Sequence, residues 1–147
     1  MFNYYFDVGR EGHSDTIQLF QDILAGKHEA YTSDYVTFEL QKAPEPKRSK
    51  MLGLIMEFNI KVINIDSEID DLADLYIARK AIPERYQFDS SHIAAATVRG
   101  LDYVLSYNFR HINRAKTKLL INRINSENDY GAVVICTAKE VLDDETY

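Results

Sequence analysis

Polar side chains follow two of the predicted strands, at the point where each strand ends. Asp7 comes directly after the run Tyr4-Tyr5-Phe6, and Asn108 follows the run Val104-Leu105-Ser106-Tyr107. Ligands of open α/β sheets bind in the crevice at the carboxyl ends of the strands, so both residues are candidates for a site there. Asp and Asn are also common turn residues, and either one alone would be unremarkable.

A second carboxylate borders an apolar helix face. Val36 and Leu40 mark the apolar face of the helix predicted after Ser33, and Glu39 lies three residues from Val36. Burying an unpaired carboxylate is costly, and a metal ion or a cationic partner would relieve that cost. The alternative is a boundary glutamate that reaches solvent, which is the favoured interpretation for Glu39 taken by itself.

A third carboxylate begins the segment Asp89-Ser-Ser-His-Ile-Ala-Ala-Ala. An Asp at a helix N-terminus is first of all a cap and a partner of the helix dipole. The alanines indicate close helix packing. His92 lies one turn inside the helix, and we give it a supporting role because His is an uncommon ligand of hard cations. The sequence contains no phosphate-binding loop, no dinucleotide fingerprint and no metal-ligand spacing among its four histidines.

The elements that must position these residues alternate between short β-like runs and helical patterns. Helices are predicted over 15–25, from Ser33 or Asp34 to about 41, over 48–58, from a Ser67 cap to 76, from 89 or 90 to 99, and over 112–124 and 138–142. Strands are predicted at 4–6, 29–32, 61–65, 103–106 and 133–135. This alternation predicts a single α/β domain over residues 1–147, with a mainly parallel sheet and helices on both faces.

The charge of the chain is acidic overall but unevenly distributed. The 17 Lys+Arg and 23 Asp+Glu residues give a net charge of −6, which argues against diffuse binding to nucleic acid. No Asp or Glu occurs between Tyr103 and Ser126, and this stretch holds the cations Arg110, Arg114, Lys116, Lys118 and Arg123 beside His111. A smaller basic cluster includes Lys47 and Arg48. We interpret these segments as a local basic surface for phosphates, with ordinary solvated helix faces as the alternative.

The remaining composition narrows the compartment and the chemistry. A single cysteine, Cys136, excludes an internal disulfide framework and a cysteine-based zinc site, and its apolar strand favours a core position. No apolar run approaches the length of a membrane span, and the N-terminus lacks a signal-peptide pattern. We therefore expect a cytoplasmic protein with no membrane partner.

Taken together, these segments resemble the PIN-domain family, metal-dependent nucleases that include the VapC-type toxins of toxin–antitoxin pairs. The strongest part is Asp89-Ser-Ser-His-Ile-Ala-Ala-Ala-Thr97, followed by Asp102-Tyr-Val-Leu-Ser-Tyr-Asn-Phe-Arg-His-Ile112. The family has an Asp–two residues–His-Ile-Ala-Ala-Ala segment and then a strand ending in Ser/Thr–aromatic–Asn/Asp–Phe–basic–His-Ile. The resemblance covers nearly the whole chain and implies a PIN-like three-layer α/β/α domain with a central, mainly parallel sheet.

The resemblance also implies a site and a reaction. The acidic quartet of the family corresponds to Asp7, Glu39, Asp89 and Asn108. By resemblance, Asp7 and Asp89 would bind Mg²⁺ or Mn²⁺, with Glu39 as a further ligand or as the base that orients water. Asn108 would hold a metal-bound water or the scissile phosphate through its amide, and the protein would hydrolyse phosphodiester bonds of RNA. An antitoxin protein and a homodimer are the partners that the family implies.

Further residues receive supporting roles from the same resemblance. Ser106 and His92 would hold the metal ligands in place without binding the metal themselves. The candidates for contact with the RNA backbone are Arg110, Arg114, Lys47 and Arg48.

One departure from the family pattern supports an alternative function. PIN proteins usually read Asp-Thr/Ser-Asn/Ser after the first strand, whereas this chain reads Asp7-Val8-Gly9-Arg10. The hydroxyl that helps to hold the metal site in the family is therefore missing. The alternative is a degenerate PIN domain, weak or inactive in catalysis, that acts as a binding or assembly module.

Overall fold

The computed structural model describes residues 11–144, which divide into two compact units. The first unit contains residues 11–64 and 138–144, and the second contains residues 65–137. In chain order the elements are α1 (His13–Leu24), β1 (Tyr31–Ser33), α2 (Asp34–Gln41), α3 (Lys47–Glu57), β2 (Lys61–Ile63), α4 (Ser67–Ala78), α5 (Gln87–Val98), β3 (Tyr103–Leu105), α6 (Ala115–Glu127), β4 (Val134–Cys136) and α7 (Ala138–Asp144). The strand predicted at 4–6 and the candidate ligand Asp7 lie outside the described residues.

The first unit is built around a parallel strand pair. β1 and β2 run parallel, with Ser33 opposite Ile63. Ser33 also caps α2, because its side chain accepts a hydrogen bond from the backbone N–H of Val36. The apolar core beside this pair consists of Phe20, Leu54, Phe58 and Ile60. The first of the two caps predicted for α2 is therefore the one that the chain uses.

The second unit contains another parallel pair and two closely packed helices. β3 and β4 run parallel, with Leu105 opposite the buried Cys136, which confirms the predicted core position of that cysteine. Helices α4 and α5 pack against each other. Ala94, Ala95 and Ala96 of α5 are buried in the core. Ser90 Oγ of α5 donates a hydrogen bond of 2.8 Å to the carbonyl of Ala73 in α4. Small side chains on α5 allow the backbones to approach closely enough for that bond.

In the second unit, three predicted helix starts were wrong, each for a local reason. Asp66 rather than Ser67 caps α4, because the Asp66 carboxylate accepts from the N–H of Ile69 at 3.0 Å. α5 begins at Gln87, directly after a short 3₁₀ turn at Glu84–Tyr86, so Asp89 lies in the first turn and is not the cap. α6 begins at Ala115 rather than at 112, because residues 108–113 form a hydrogen-bonded turn.

The mixed α/β class and the parallel strand pairing predicted from the sequence are confirmed. The strands described form one two-stranded sheet in each unit. A single central sheet and a single domain stay predictions. None of the helices within residues 11–144 is both long and apolar enough to cross a membrane.

Candidate functional site

Two segments that carry candidate site residues meet at one end of the second unit. Arg85 Nη2 lies 2.8 Å from His111 Nε2, and the Tyr86 and His111 rings have centroids 5.0 Å apart. Arg85 and Tyr86 directly precede α5, whereas His111 follows β3. The N-terminal end of α5 and the segment after β3 therefore lie side by side. Asp89, in the first turn of α5, and Asn108, shortly before His111, belong to this same end.

Asp89 is a half-buried carboxylate with no oppositely charged partner among the described residues. No hydrogen bond or ion pair joins its side chain to another of the described residues 11–144. Burial raises the pKa of Asp89, since leaving water penalises the charged form. The helix dipole of α5 offsets part of that cost. A bound cation would stabilise the ionised form further.

Asn108 is the organising residue of the turn after β3. Its side-chain Oδ1 accepts from the N–H of His111 at 3.2 Å, and its carbonyl accepts from the N–H groups of Ile112 and Asn113. The N–H of Asn108 donates to Ser106 Oγ at 3.2 Å, which gives Ser106 the task of holding this turn. With Oδ1 engaged, the side-chain Nδ2 is the group of Asn108 that faces no partner among the described residues. Asn108 is therefore suited to donate a hydrogen bond to a phosphate or a water.

His92 lies one turn beyond Asp89 on α5. Its ring packs edge-to-face on Phe88, with centroids 4.5 Å apart. Burial lowers the pKa of His92 to about 4, so the imidazole is neutral at physiological pH. A neutral imidazole does not neutralise the Asp89 carboxylate, which leaves that charge for a ligand.

The candidate residues of the first unit have different surroundings. The Glu39 side chain is 59% exposed and lies 3.5 Å from Lys42 Nζ, so the burial cost that suggested a metal partner is absent there. Lys47 and Arg48 are exposed as well, and Arg48 Nε lies 2.7 Å from Glu45 Oε1. The structure thus agrees with the solvent-reaching interpretation of Glu39 in its local environment. Its part in a metal site stays a prediction.

The donor chemistry at Asp89 suits a hard divalent cation. A carboxylate oxygen with no competing partner is the ligand type that Mg²⁺ and Mn²⁺ prefer. Residues 11–144 contain no group of three or more His, Cys, Asp or Glu side chains that could hold a metal ion. A complete coordination sphere therefore needs further ligands, and the resemblance assigns that role to Asp7 and Glu39.

Arg85 is a further candidate residue that the sequence reasoning missed. It meets His111 across 26 positions of the chain, and no spacing rule connects the two. The one signal available was its place four residues before Asp89, ahead of the helix that carries the strongest motif. The structure joins this cation to the acid-free stretch that contains Arg110 and Arg114.

Comparison with known proteins adds no relative to this description. No protein-family model matches the chain, and no curated protein or solved structure matches it. The likeness to PIN domains therefore depends on the motifs at 89–97 and 102–112, and the function that it implies is carried forward as a proposal.

Proposed function

We propose that this protein is a metal-dependent endoribonuclease with a PIN-like three-layer α/β/α fold and a central, mainly parallel sheet. The observation that carries the proposal is the half-buried Asp89 carboxylate, which has no partner among the described residues. It lies at the end of the second unit where the segment before α5 contacts the segment after β3. Function as the toxin of a toxin–antitoxin pair, in the cytoplasm and as a homodimer, belongs to the same proposal.

The proposal gives each residue a role that follows from its chemistry. Asp89, Asp7 and Glu39 would hold Mg²⁺ or Mn²⁺ through carboxylate oxygens. When bound, such an ion activates water and stabilises the charge that develops on the phosphate. Asn108 would donate its Nδ2–H groups to the scissile phosphate, while Ser106 keeps the turn in place. His92 would support the helix end as a neutral, packed ring.

The basic residues would contact the RNA backbone. Arg110 and Arg114 belong to the same end of the second unit as Asp89, whereas Lys47 and Arg48 are exposed on the first unit. Cations that neutralise phosphates give affinity without reading sequence. An acidic protein can therefore hold RNA locally despite its net charge of −6.

The test is a cleavage assay with labelled single-stranded RNA, titrated with Mn²⁺ and repeated in EDTA. We expect Asp89→Ala to abolish the Mn²⁺-dependent cleavage. Asp102→Ala is the matched control, because Asp102 is an exposed Asp in the link after α5. If Asp89→Ala cleaves as fast as the parent, the assigned site is wrong.

A binding or assembly module is the second candidate function. The exposed Glu39, paired with Lys42, favours it, because that carboxylate shows no need for a metal in its local surroundings. This candidate predicts weak or absent metal binding. Calorimetry with Mn²⁺ on the parent and on Asp7→Asn separates the two. A saturable heat that is lost in the variant would count against the module.

A further inference from the structure

Three arginines surround one histidine at the end of the second unit that carries Asp89. We call Arg85, Arg110, Arg114 and His111 the arginine cluster. Arg85 Nη2 lies 2.8 Å from His111 Nε2. A guanidinium keeps its protons at any physiological pH, so Arg85 donates and His111 accepts as a neutral imidazole. Desolvation and then the charges of Arg85, Arg110 and Arg114 lower the pKa of His111, which agrees with that assignment.

Among the described residues, no acid pairs with the arginines of the cluster. Of the residues that the structure describes, no carboxylate forms an ion pair with Arg85, Arg110 or Arg114, and all three are exposed. Two other arginines of the same unit are paired: Arg79 lies 3.0 Å from Glu127, and Arg99 lies 3.2 Å from Asp66. Like charges gathered without a counter-charge repel one another, and a bound anion would offset this repulsion by its attraction to each arginine.

His111 and Arg114 are held in place by partly buried hydrogen bonds. Thr117, which is fully buried, donates from Oγ1 to the carbonyl of His111 at 3.1 Å and accepts from Arg114 Nε at 3.0 Å. Asn108 Oδ1 accepts from the N–H of His111. Arg114 directly precedes α6, whose first turn contains no acidic residue. Side chains fixed before a ligand arrives lose less entropy on binding, so this part of the cluster is preorganised for an anion.

Aromatic rings beside the arginine cluster indicate which kind of anion binds there. Phe109 is 57% exposed and adjoins Arg110, while its ring faces Tyr107 with centroids 6.2 Å apart. The Tyr86 ring contacts both Arg85 and His111: its centroid lies 5.0 Å from the guanidinium carbon of Arg85 and 5.0 Å from the centroid of the His111 ring. Cations that track phosphates beside exposed rings that stack bases are the features of single-strand binding sites. Stacking needs unpaired bases, which a duplex or an acidic peptide does not offer.

We infer that the arginine cluster and Phe109 form a binding site for single-stranded RNA that works without a metal ion. Arg85 and Arg114 would hold a backbone phosphate between them, and an adjacent base would stack on the exposed ring of Phe109. This inference deepens the proposed function, on which it rests for the identity of the ligand, by naming where the RNA strand is held beside Asp89. It predicts affinity in EDTA, where no cleavage takes place.

The experiment measures binding of a short fluorescein-labelled single-stranded RNA by anisotropy in EDTA, across a salt series. We expect Arg85→Gln and Arg114→Gln each to weaken binding about tenfold and to reduce the salt slope by about one phosphate contact. Phe109→Ala should also weaken binding about tenfold, with an unchanged salt slope. Arg85→Lys keeps the charge and loses the planar fork, so we expect a smaller loss than for Arg85→Gln.

The matched control is Arg79→Gln, which removes the same charge from the same unit at an arginine that already has a carboxylate partner. It should leave the affinity within about twofold of the parent, as expected for a charge that no phosphate contacts. Equal losses in Arg79→Gln and Arg85→Gln would overturn the site in favour of diffuse attraction. Equal affinity for a duplex of the same length would also overturn it.

Two further outcomes separate this inference from the nuclease proposal. A protein that never cleaves RNA but loses affinity in Arg85→Gln retains the binding site and loses the proposed activity. A protein that cleaves through Asp89 while Arg85→Gln and Phe109→Ala bind RNA as the parent does retains the nuclease and loses the binding site. Tight binding of an acidic peptide in place of RNA, abolished in Arg85→Gln, would make the cluster a protein-docking surface and overturn the inference.

Discussion

The two described units differ in how they compensate the charges of the candidate site residues. In the first unit, Glu39 lies 3.5 Å from Lys42, and Arg48 lies 2.7 Å from Glu45. In the second unit, the Asp89 carboxylate has no such partner among the described residues, and Arg85 faces a histidine instead of an acid. Glu39 and Arg48 are therefore each paired within one helical turn, whereas Asp89 and Arg85 have no oppositely charged partner among the described residues.

This difference indicates where a ligand is to be expected. Ion pairs between neighbouring turns of an exposed helix satisfy both charges at little cost and need nothing further. A half-buried carboxylate and a group of arginines without acids cost stability in the isolated protein. Proteins keep such local conflicts mainly at functional sites, where the ligand supplies the missing charge. The comparison therefore favours the second unit as the place where the proposed cation and RNA phosphates would bind.

The largest test of this comparison is the removal of the Asp89 charge. A metal ion contributes several kcal/mol to phosphate chemistry, so loss of a ligand should slow cleavage about a thousandfold. We expect Asp89→Asn to reach that loss in single-turnover cleavage with saturating Mn²⁺, and Asp102→Asn to stay close to the parent.

In EDTA, Asp89→Asn should melt at a higher temperature than the parent, because burial raises the pKa of Asp89 and its ionised form costs stability. If Asp89→Asn is less stable than the parent in EDTA, the claim that the ionised Asp89 carboxylate destabilises the folded protein is wrong.

The second test uses the buried histidine of the second unit. His92 stays neutral in the folded protein down to about pH 4, whereas the unfolded chain takes up a proton near 6.5. Between these values the unfolded state binds more protons, so stability present above 6.5 is lost as the pH falls towards 4. The loss amounts to about 3 kcal/mol at pH 4.

Urea unfolding of the parent and of His92→Gln, between neutral pH and pH 4, measures this loss. The difference in stability between the two should narrow as the pH falls, because the variant lacks the group that takes up the proton. His28→Gln, a histidine substitution in the first unit, is the control. Parallel pH profiles of the parent and His92→Gln would show that burial does not depress the His92 pKa.

The elements of this fold could be predicted because their signals are local. Ser33 before an apolar helix face identified the start of α2, and the apolar run at 133–135 identified most of β4. Where two neighbours can do the same task, the sequence does not choose between them. Asp66 and Ser67 are both good caps, and the choice depends on which side chain reaches the N–H of Ile69.

The candidate site could be predicted only in part, because compensation of charge depends on tertiary contacts. The motif made Asp89 and Asn108 candidates, but it did not predict that Asp89 has no charge partner among the described residues or that Asn108 organises a turn. Arg85 was missed because its partner His111 comes from a distant segment. Conversely, Glu39 drew attention through its place beside an apolar face, and the structure shows it exposed and paired with Lys42. Helical periodicity indicates which face of a helix is apolar. Whether a residue beside that face is buried depends on the elements that pack against it.

The third test compares the two basic segments. We expect Arg114→Gln to weaken binding of single-stranded RNA about tenfold. Among the described residues, no carboxylate competes with a phosphate for the Arg114 guanidinium. Arg48→Gln should weaken binding less, by about twofold, because Arg48 must give up its ion pair with Glu45 before it can contact a phosphate. Anisotropy titrations at one salt concentration measure both. An equal loss in the two variants would remove the distinction between paired and unpaired arginines on which the comparison depends.

The smallest effect is expected at the Glu39–Lys42 pair. Both side chains are more than half exposed, at 59% and 58%, and exposed pairs of this spacing contribute less than about 0.5 kcal/mol. Glu39→Gln and Lys42→Gln should therefore leave the urea midpoint almost unchanged.

The same two variants sharpen the comparison when cleavage is measured. If Glu39 serves the metal site, Glu39→Gln slows cleavage while Lys42→Gln does not, since only the carboxylate is a ligand. If both variants cleave as the parent does, Glu39 is a surface residue and the ligands beside Asp89 must be sought elsewhere.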